Sequence, residues 1–243
     1  MLIQVPHTYR ADGSLQFGDA VMLKNCFTEA WLVFDMSDRI TTHDEAYAVT
    51  STDRDIGPCA RSVLSIERVN PSDGSPDNLV HYGQEIRLVA NPYICHKPLY
   101  LHSCQISPLC YARFSRFQEV CLHTKSVYNT VWRIIPAYGD RKERFGQAVL
   151  ASEPIMFEHA ATNQCLSNDR ITYRNDFGNE LEVSAMSQAT KSKSQILANE
   201  GQGTKVRENT HKSVSNQNHW VIQLASDPSA EEPIAEAPKY TGE

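Results

Sequence analysis

The feature that most constrains this chain is a short apolar pattern written three times at a long, nearly constant spacing. Asp19-Ala20-Val21-Met22-Leu23, Gln84-Glu85-Ile86-Arg87-Leu88 and Glu153-Pro154-Ile155-Met156-Phe157 each begin with an acid or amide, and large apolar side chains follow at the second and fourth positions after it. A two-residue period is the mark of a half-buried strand, because successive side chains in a strand point to opposite faces. Val21 and Ile86 are 65 residues apart, and Ile86 and Ile155 are 69 apart. Phe17-Gly18 and Tyr82-Gly83 precede the first two copies. A second apolar cluster follows each copy (Trp31-Leu32-Val33, Leu99-Tyr100-Leu101, Cys165-Leu166), and each closes on an apolar-x-Ile core: Leu64-Ser65-Ile66, Trp132-Arg133-Ile134, Trp220-Val221-Ile222. Phe145-Gly146-Gln147-Ala148-Val149 is a rival start for the third copy but falls six residues too early. The Ile155 register is preferred because it sets Thr162 and Leu166 opposite Thr28 and Leu32.

Between these cores the apolar runs are short and are separated by turn-forming clusters such as Ala11-Asp12-Gly13, Asn91-Pro92, Tyr138-Gly139-Asp140 and Asn175-Asp176-Phe177-Gly178-Asn179. Gly and Asn accept positive φ and Pro fixes φ, so such clusters break strands rather than continue them. Ser37 to Tyr47 is the best candidate for a short helix, with Asp38 or Thr42 as its cap. Intermediate strands are expected at Tyr47-Ala48-Val49, Glu119-Val120-Cys121-Leu122 and Glu180-Leu181-Glu182-Val183. The expectation is an all-β, MIR-like β-trefoil of about twelve strands, closed so that no edge is left to aggregate. It forms one domain over 1–225, with repeats near 15–70, 79–137 and 145–225. Val21, Leu23, Ile86, Leu88, Ile155, Phe157, Trp132 and Trp220 form its core.

Two stretches fall outside that core. The polar insertion 187–218 carries Lys191, Lys193, Lys205, Arg207 and Lys212 against Glu200 and Glu208, a net charge of +3. The tail 226–243 is acidic, with prolines at Pro228, Pro233 and Pro238. Neither has the apolar content to bury a core alone, so partners are expected to order both.

The chemistry of the chain is mostly exclusion. A net charge of −6 speaks against nucleic acid, whose binders present a basic face. No run approaches the roughly 18 apolar residues of a membrane span. Neither a signal peptide nor an Asn-x-Ser/Thr acceptor with a residue other than Pro in the middle is found, and seven irregularly spaced cysteines suit a reducing compartment. Nucleophile elbow, phosphate loop and helical zinc-protease motif are all missing, and Gly201-Gln202-Gly203 lies in a polar loop. Cys95, His96, His102, Cys104, Cys110, Cys121 and His123 are a tempting zinc cluster, but they lack the close Cys-x2–4-Cys pairs of structural sites. No metal, cofactor or disulfide is therefore expected. The Gln-x-Trp signature of sugar-binding trefoils is absent at Trp31, Trp132 and Trp220, which read as core residues.

With the repeats in place, the chain resembles the cilia- and flagella-associated protein 161 family of MIR-like trefoils. The resemblance is carried by Leu15-Gln16-Phe17-Gly18-Asp19-Ala20-Val21-Met22-Leu23, His81-Tyr82-Gly83-Gln84-Glu85, Leu99-Tyr100-Leu101-His102-Ser103, Phe117-Gln118-Glu119-Val120-Cys121-Leu122, and Asn218-His219-Trp220-Val221 followed by Asp227-Pro228. It implies a non-enzymatic microtubule inner protein of axonemal doublets, held in the A-tubule by α- and β-tubulin and by other inner proteins. The family carries a segment ahead of the trefoil that this sequence lacks, which puts the anchoring it supplies in doubt. On this reading Lys191, Lys193, Lys205, Arg207 and Lys212 are the candidate contacts, because tubulin is acidic. The alternative is a MIR-like module for a sugar or phosphate ligand, and an enzyme is the third option.

Overall fold

The computed structural model describes residues 3–70, 77–187 and 215–231. It contains twelve strands: β1 (Ala20–Asn25), β2 (Trp31–Ile40), β3 (Ala46–Thr52), β4 (Val63–Arg68), β5 (Glu85–Ala90), β6 (Tyr100–Ser103), β7 (Gln118–His123), β8 (Trp132–Pro136), β9 (Pro154–His159), β10 (Leu166–Asn175), β11 (Gly178–Ala185) and β12 (Trp220–Gln223). Six of them close a barrel through the antiparallel pairs β1–β4, β4–β5, β5–β8, β8–β9, β9–β12 and β12–β1. The other six form three hairpins, β2–β3, β6–β7 and β10–β11. These meet one another through β3–β7, β7–β11 and β11–β3. A six-stranded barrel capped by a triangle of hairpins is a β-trefoil, as the repeats require.

The threefold relation can be followed bond by bond. Leu15, Val80 and Val149 close a ring in which each N–H donates to the carbonyl of another: Leu15 to Val149 at 3.1 Å, Val149 to Val80 at 2.8 Å and Val80 to Leu15 at 2.9 Å. Three residues further on, Gly18, Gly83 and Ser152 donate to Ile66, Ile134 and Ile222 at 2.8, 2.8 and 2.9 Å. All three have positive φ, at 91°, 84° and 68°. Ser152 thus holds the place that glycine holds in the other units, and this disguised the third start in the sequence. The rival Gly146 lies elsewhere, donating to the Tyr82 carbonyl, and Phe145 packs over Gly83.

Val21, Ile86 and Ile155 begin the inward rows of β1, β5 and β9, followed by Leu23, Leu88 and Phe157, and all six are at most 1% exposed. Trp132 and Trp220, both fully buried, take the place of Leu64 on the closing strands. Their indole N–H groups donate to the equivalent carbonyls of Leu101 and Leu166, at 2.9 and 3.1 Å. Trp31 departs from the core expectation. It is half-buried on the outer face, packed against a smaller cluster of Val5, Met22, Ala60 and Val63, with the Lys24 ammonium 5.4 Å from its ring.

The expected helix at Ser37–Tyr47 does not form: β2 runs through Ile40 and β3 starts at Ala46. The pairing slips between Asp35 and Arg39, and the buried Asp35 carboxylate accepts from the Ser37 N–H at 2.9 Å, the Ser37 hydroxyl at 2.6 Å and the Asp38 N–H at 3.3 Å. A short acidic side chain bonding the backbone two and three residues on is also how a helix N-cap works. In this chain it holds a β-bulge, and the sequence signal for the two is the same.

Arg61 and Glu180 fasten the first unit to the third, at 2.9 and 3.1 Å with both side chains buried. Glu180 also accepts from Thr50 and Asn175, and Arg61 donates to the Phe34 carbonyl, so the pair keeps the additional hydrogen bonds that a buried ion pair needs.

Candidate functional site in the hairpin cap

The five basic residues expected to touch a partner, Lys191, Lys193, Lys205, Arg207 and Lys212, lie outside the described residues, as do 188–214 and 232–243 around them. The described part of the insertion is its two roots, and these meet. The Asn218 amide donates to the carbonyl of Met186 at 2.7 Å, with Leu166 and Cys165 at 3.4 and 3.5 Å.

At the hairpin cap β2–β3, β7 and β10–β11 converge around a cavity of about 460 Å³. One wall is the long connection between β6 and β7. Glu182 holds that connection by accepting from the Phe114 and Ser115 N–H groups, both at 2.8 Å. Arg113 grips Asp38 with two bonds of 2.9 Å, and Phe114 packs on Tyr173 with ring centroids 5.2 Å apart. A bidentate arginine–carboxylate pair fixes orientation as well as distance. The same connection exposes Ile106, Phe114 and, at 84%, Leu109. Exposed apolar side chains are ordinary singly, and three on one connection single it out as a candidate contact surface.

Behind this wall the fold gathers thiols and imidazoles. All six residues of β7 are buried, because β6, β3 and β11 each pair with part of it. Cys121 and His123 on β7 therefore lie inside the cap rather than in water. Cys121 Sγ is 3.5 Å from His102 Nδ1. The rings of His43, His102 and His123 lie 4.9 to 6.1 Å apart. His43 Nε2 reaches Cys104 Sγ at 3.6 Å and Cys110 Sγ at 3.5 Å. Glu119 Oε2 is 3.8 Å from both His43 Nε2 and Cys110 Sγ and accepts a 2.6 Å bond from Thr42.

Five of the seven residues of the sequence cluster, His102, Cys104, Cys110, Cys121 and His123, are thus brought together. Cys95 and His96 join neither group of metal-competent donors. His43 and Glu119 were missed. His43 comes from the segment misread as a helix, and nothing local in the sequence ties it to cysteines 61 and 67 residues away.

Burial raises the Cys104 and Cys110 thiols; the hydrogen bond between the two raises Cys110 and partly offsets the rise at Cys104, and the nearby Glu119 raises both; burial and then Glu119 raise Cys121 well above the ordinary range. Burial and then the neighbouring His43 and His123 lower His102 to about 3. The polypeptide by itself thus holds these thiols protonated and His102 neutral. A nucleophilic cysteine requires the opposite shift.

No family model matches the chain. Among curated proteins it is similar to the cilia- and flagella-associated protein 161 of Danio rerio, 27% identical over 236 residues, covering 88% of this chain and 70% of that protein. In structure it is similar to the SDF2-like protein from Arabidopsis thaliana, with a TM-score of 0.62 at 17% identity, over 86% of this chain and 94% of that one. It also matches part of the Saccharomyces cerevisiae protein O-mannosyltransferase Pmt1–Pmt2 complex, with a TM-score of 0.60 at 15% identity, over 97% of this chain and 28% of that one. At such identities the structural likeness speaks to fold alone. In sequence the chain is similar to cilia- and flagella-associated protein 161, and its fold is a β-trefoil like that of the SDF2-like protein.

Proposed function

We propose that this protein is a non-enzymatic structural component of cilia or flagella, a microtubule inner protein bound to tubulin and to neighbouring inner proteins in the lumen of the A-tubule. The observation that carries the reading is the alignment over 88% of the chain with a cilia- and flagella-associated protein. Two physical features support it. The thiols of the cap are raised by burial rather than activated, so the richest cluster of reactive side chains is not arranged as a catalytic centre. The cap loop also carries Ile106, Leu109 and Phe114 outward on a frame fixed by Glu182 and Arg113, which suits docking against a fixed neighbour. The insertion cations Lys191, Lys193, Lys205, Arg207 and Lys212 complete the proposed contact, since tubulin is acidic. Exposed ion pairs are worth about 0–1 kcal/mol each, so they act together or not at all.

The experiment is fractionation of cilia that express the tagged protein, followed by an averaged density map of the doublet. Retention in salt-washed, detergent-extracted doublets, with trefoil density on the luminal wall, is the expected result. Release with the soluble matrix, or binding to a glycan or inositol phosphate array instead, overturns it.

A further inference from the structure

We propose that the hairpin cap is a structural site for a zinc-class divalent ion, held by His43, Cys104 and Cys110 with the Glu119 carboxylate as fourth ligand. Nothing in the proposed axonemal role requires such a site, and the inference stands or falls separately from it.

The argument is geometric. A tetrahedral zinc ion sits about 2.0–2.3 Å from nitrogen, oxygen and sulfur ligands, so its ligand atoms are separated by about 3.4–3.8 Å. The four measured separations are 3.6 Å (His43 Nε2 to Cys104 Sγ), 3.5 Å (His43 Nε2 to Cys110 Sγ) and 3.8 Å (Glu119 Oε2 to each of His43 Nε2 and Cys110 Sγ). The two nitrogen–sulfur separations match edges of a coordination tetrahedron, and the ligand atoms of His43, Cys104 and Cys110 all lie within 4.8 Å of one another. The two Glu119 separations are a few tenths of an ångström longer than the matching edges, so that carboxylate would close in on binding. Hydrogen bonding accounts for part of this, since the Cys110 thiol donates to Glu119, but not for the crowding at His43 Nε2. A ring nitrogen has one lone pair or one proton, yet two sulfurs and a carboxylate oxygen converge on His43 Nε2. A single cation at their centre satisfies all three.

The donor set selects the metal. Thiolate and imidazole favour zinc and disfavour magnesium or calcium, which take oxygen ligands. Four protein ligands leave no open position, which makes the site structural rather than catalytic. Thr42 supplies an outer-shell bond, its hydroxyl donating to Glu119 at 2.6 Å. The His43 side chain keeps 22% of its surface exposed, so an ion can enter from solvent. On binding, the two thiols coordinate as thiolates and two protons leave to water. The ion would join the β2–β3 turn, the β6–β7 connection and β7, which come from two different units, and would fasten the loop that presents Ile106 and Leu109. His43, His102 and Cys121 are a second possible trio. It offers one thiol against two in the first set, so the first set is the stronger one.

The test uses the full chain, reduced and stripped with a chelator, with cobalt(II) or zinc as the only additions. One equivalent of cobalt should bind, with thiolate-to-metal charge-transfer absorption of two sulfurs and the visible bands of a tetrahedral ion. Cys104→Ser and Cys110→Ser should each halve the sulfur band and weaken zinc by at least ~100-fold in competition with a colorimetric chelator, since ligands matter at least as much as their outer-shell partners. His102→Gln and Cys121→Ser should leave both measurements unchanged. Should the serine variants not fold, the wild type suffices: zinc should shield Cys104 and Cys110, but not the exposed Cys26, from a thiol alkylator read by peptide mass mapping. No saturable binding, or undiminished alkylation of both cysteines under excess zinc, overturns the site. Loss of the sulfur band in Cys121→Ser with Cys104→Ser unaffected overturns the ligand assignment.

Discussion

Trp132 and Trp220 show how much one side chain carries in this fold. Each fills the interior of its unit and donates its indole N–H to a carbonyl of the neighbouring hairpin strand, Leu101 or Leu166. Truncation leaves a large cavity and takes one N–H donor from that carbonyl. Trp132→Ala and Trp220→Ala should each cost ~3–5 kcal/mol, read as a lowered denaturant midpoint. Ser152 offers the opposite case. It is exposed, and its φ of 68° is one that its two counterparts meet with glycine. A side chain in that region is strained by about 1–2 kcal/mol, and glycine returns part of this through its freer unfolded chain. Ser152→Gly should therefore stabilise the protein by roughly 0.5–1 kcal/mol, and Gly18→Ser should do the reverse. A thermal melt that falls for Ser152→Gly would break the equivalence of the three starts. These positions also mark the limit of the sequence pattern. Alternation exposed the inward rows, because burial on one face of a strand leaves a direct trace. The threefold start was hidden where serine had replaced glycine, because the constraint there is on φ and not on polarity.

Turns and hairpins behave in the same divided way. The Asn175–Gly178 turn was legible because its residues have no other good use, and the pair closes β10 onto β11. The Asp35 bulge was not, since Ser, Asp and Thr offer the same hydrogen bonds to a helix start as to a bulge, and only the pairing of β2 with β3 decides between them. The turns after β1 and β9 are equivalent: Glu29 and Asn163 both have positive φ and donate to the carbonyls of Asn25 and His159. Asn25 accepts from its turn through its side chain, and His159 receives Thr162 on Nδ1 at 2.9 Å while Nε2 faces the Asn129 carbonyl at 3.0 Å. Nε2 therefore carries the proton and the ring is neutral. Burial lowers its pKa below 6.5, with the Asn129 bond opposing. Below 6.5 the unfolded chain binds the proton more readily than the folded one, so stability is complete above that pH and falls as the solution is acidified. His159→Asn borrows the residue of the first unit, and it should keep the turn while making stability less sensitive to acid. His7, His102, His123 and His219 are lowered in the same direction and leave a residual slope. Urea midpoints above and below pH 6.5 are the measurement, and an unchanged slope in the variant would remove His159 from the account.

At the scale of the whole molecule, closure separates what holds the protein together from what connects it to others. The barrel closes through β1–β12, and the N-terminal stretch clips onto the same end, with Ala225 donating to the Thr8 carbonyl at 2.8 Å. The insertion leaves from Met186 and returns at Asn218, and those two residues are already bonded at 2.7 Å. Its two described roots thus meet at one point on the barrel, where Ser187 also accepts from the Cys165 N–H and the Gln217 carbonyl from the Asn25 amide. The final prediction follows from this. Replacing 188–214 by a flexible linker about a third as long should leave the fold intact, and it should raise stability by roughly 1 kcal/mol through the smaller entropy of closing a shorter loop. The melting temperature should hold or rise slightly. If Lys191, Lys193, Lys205, Arg207 and Lys212 make the proposed contact, the same protein should lose retention on salt-washed doublets, and a full-length chain with the five reversed to Glu should lose it too. A trimmed chain that melts well below the parent would show the insertion packed into the barrel's support. One that melts normally and still assembles would remove the five cations from the interface and leave the cap loop, with Leu109 at its crest, as the surface to mutate next.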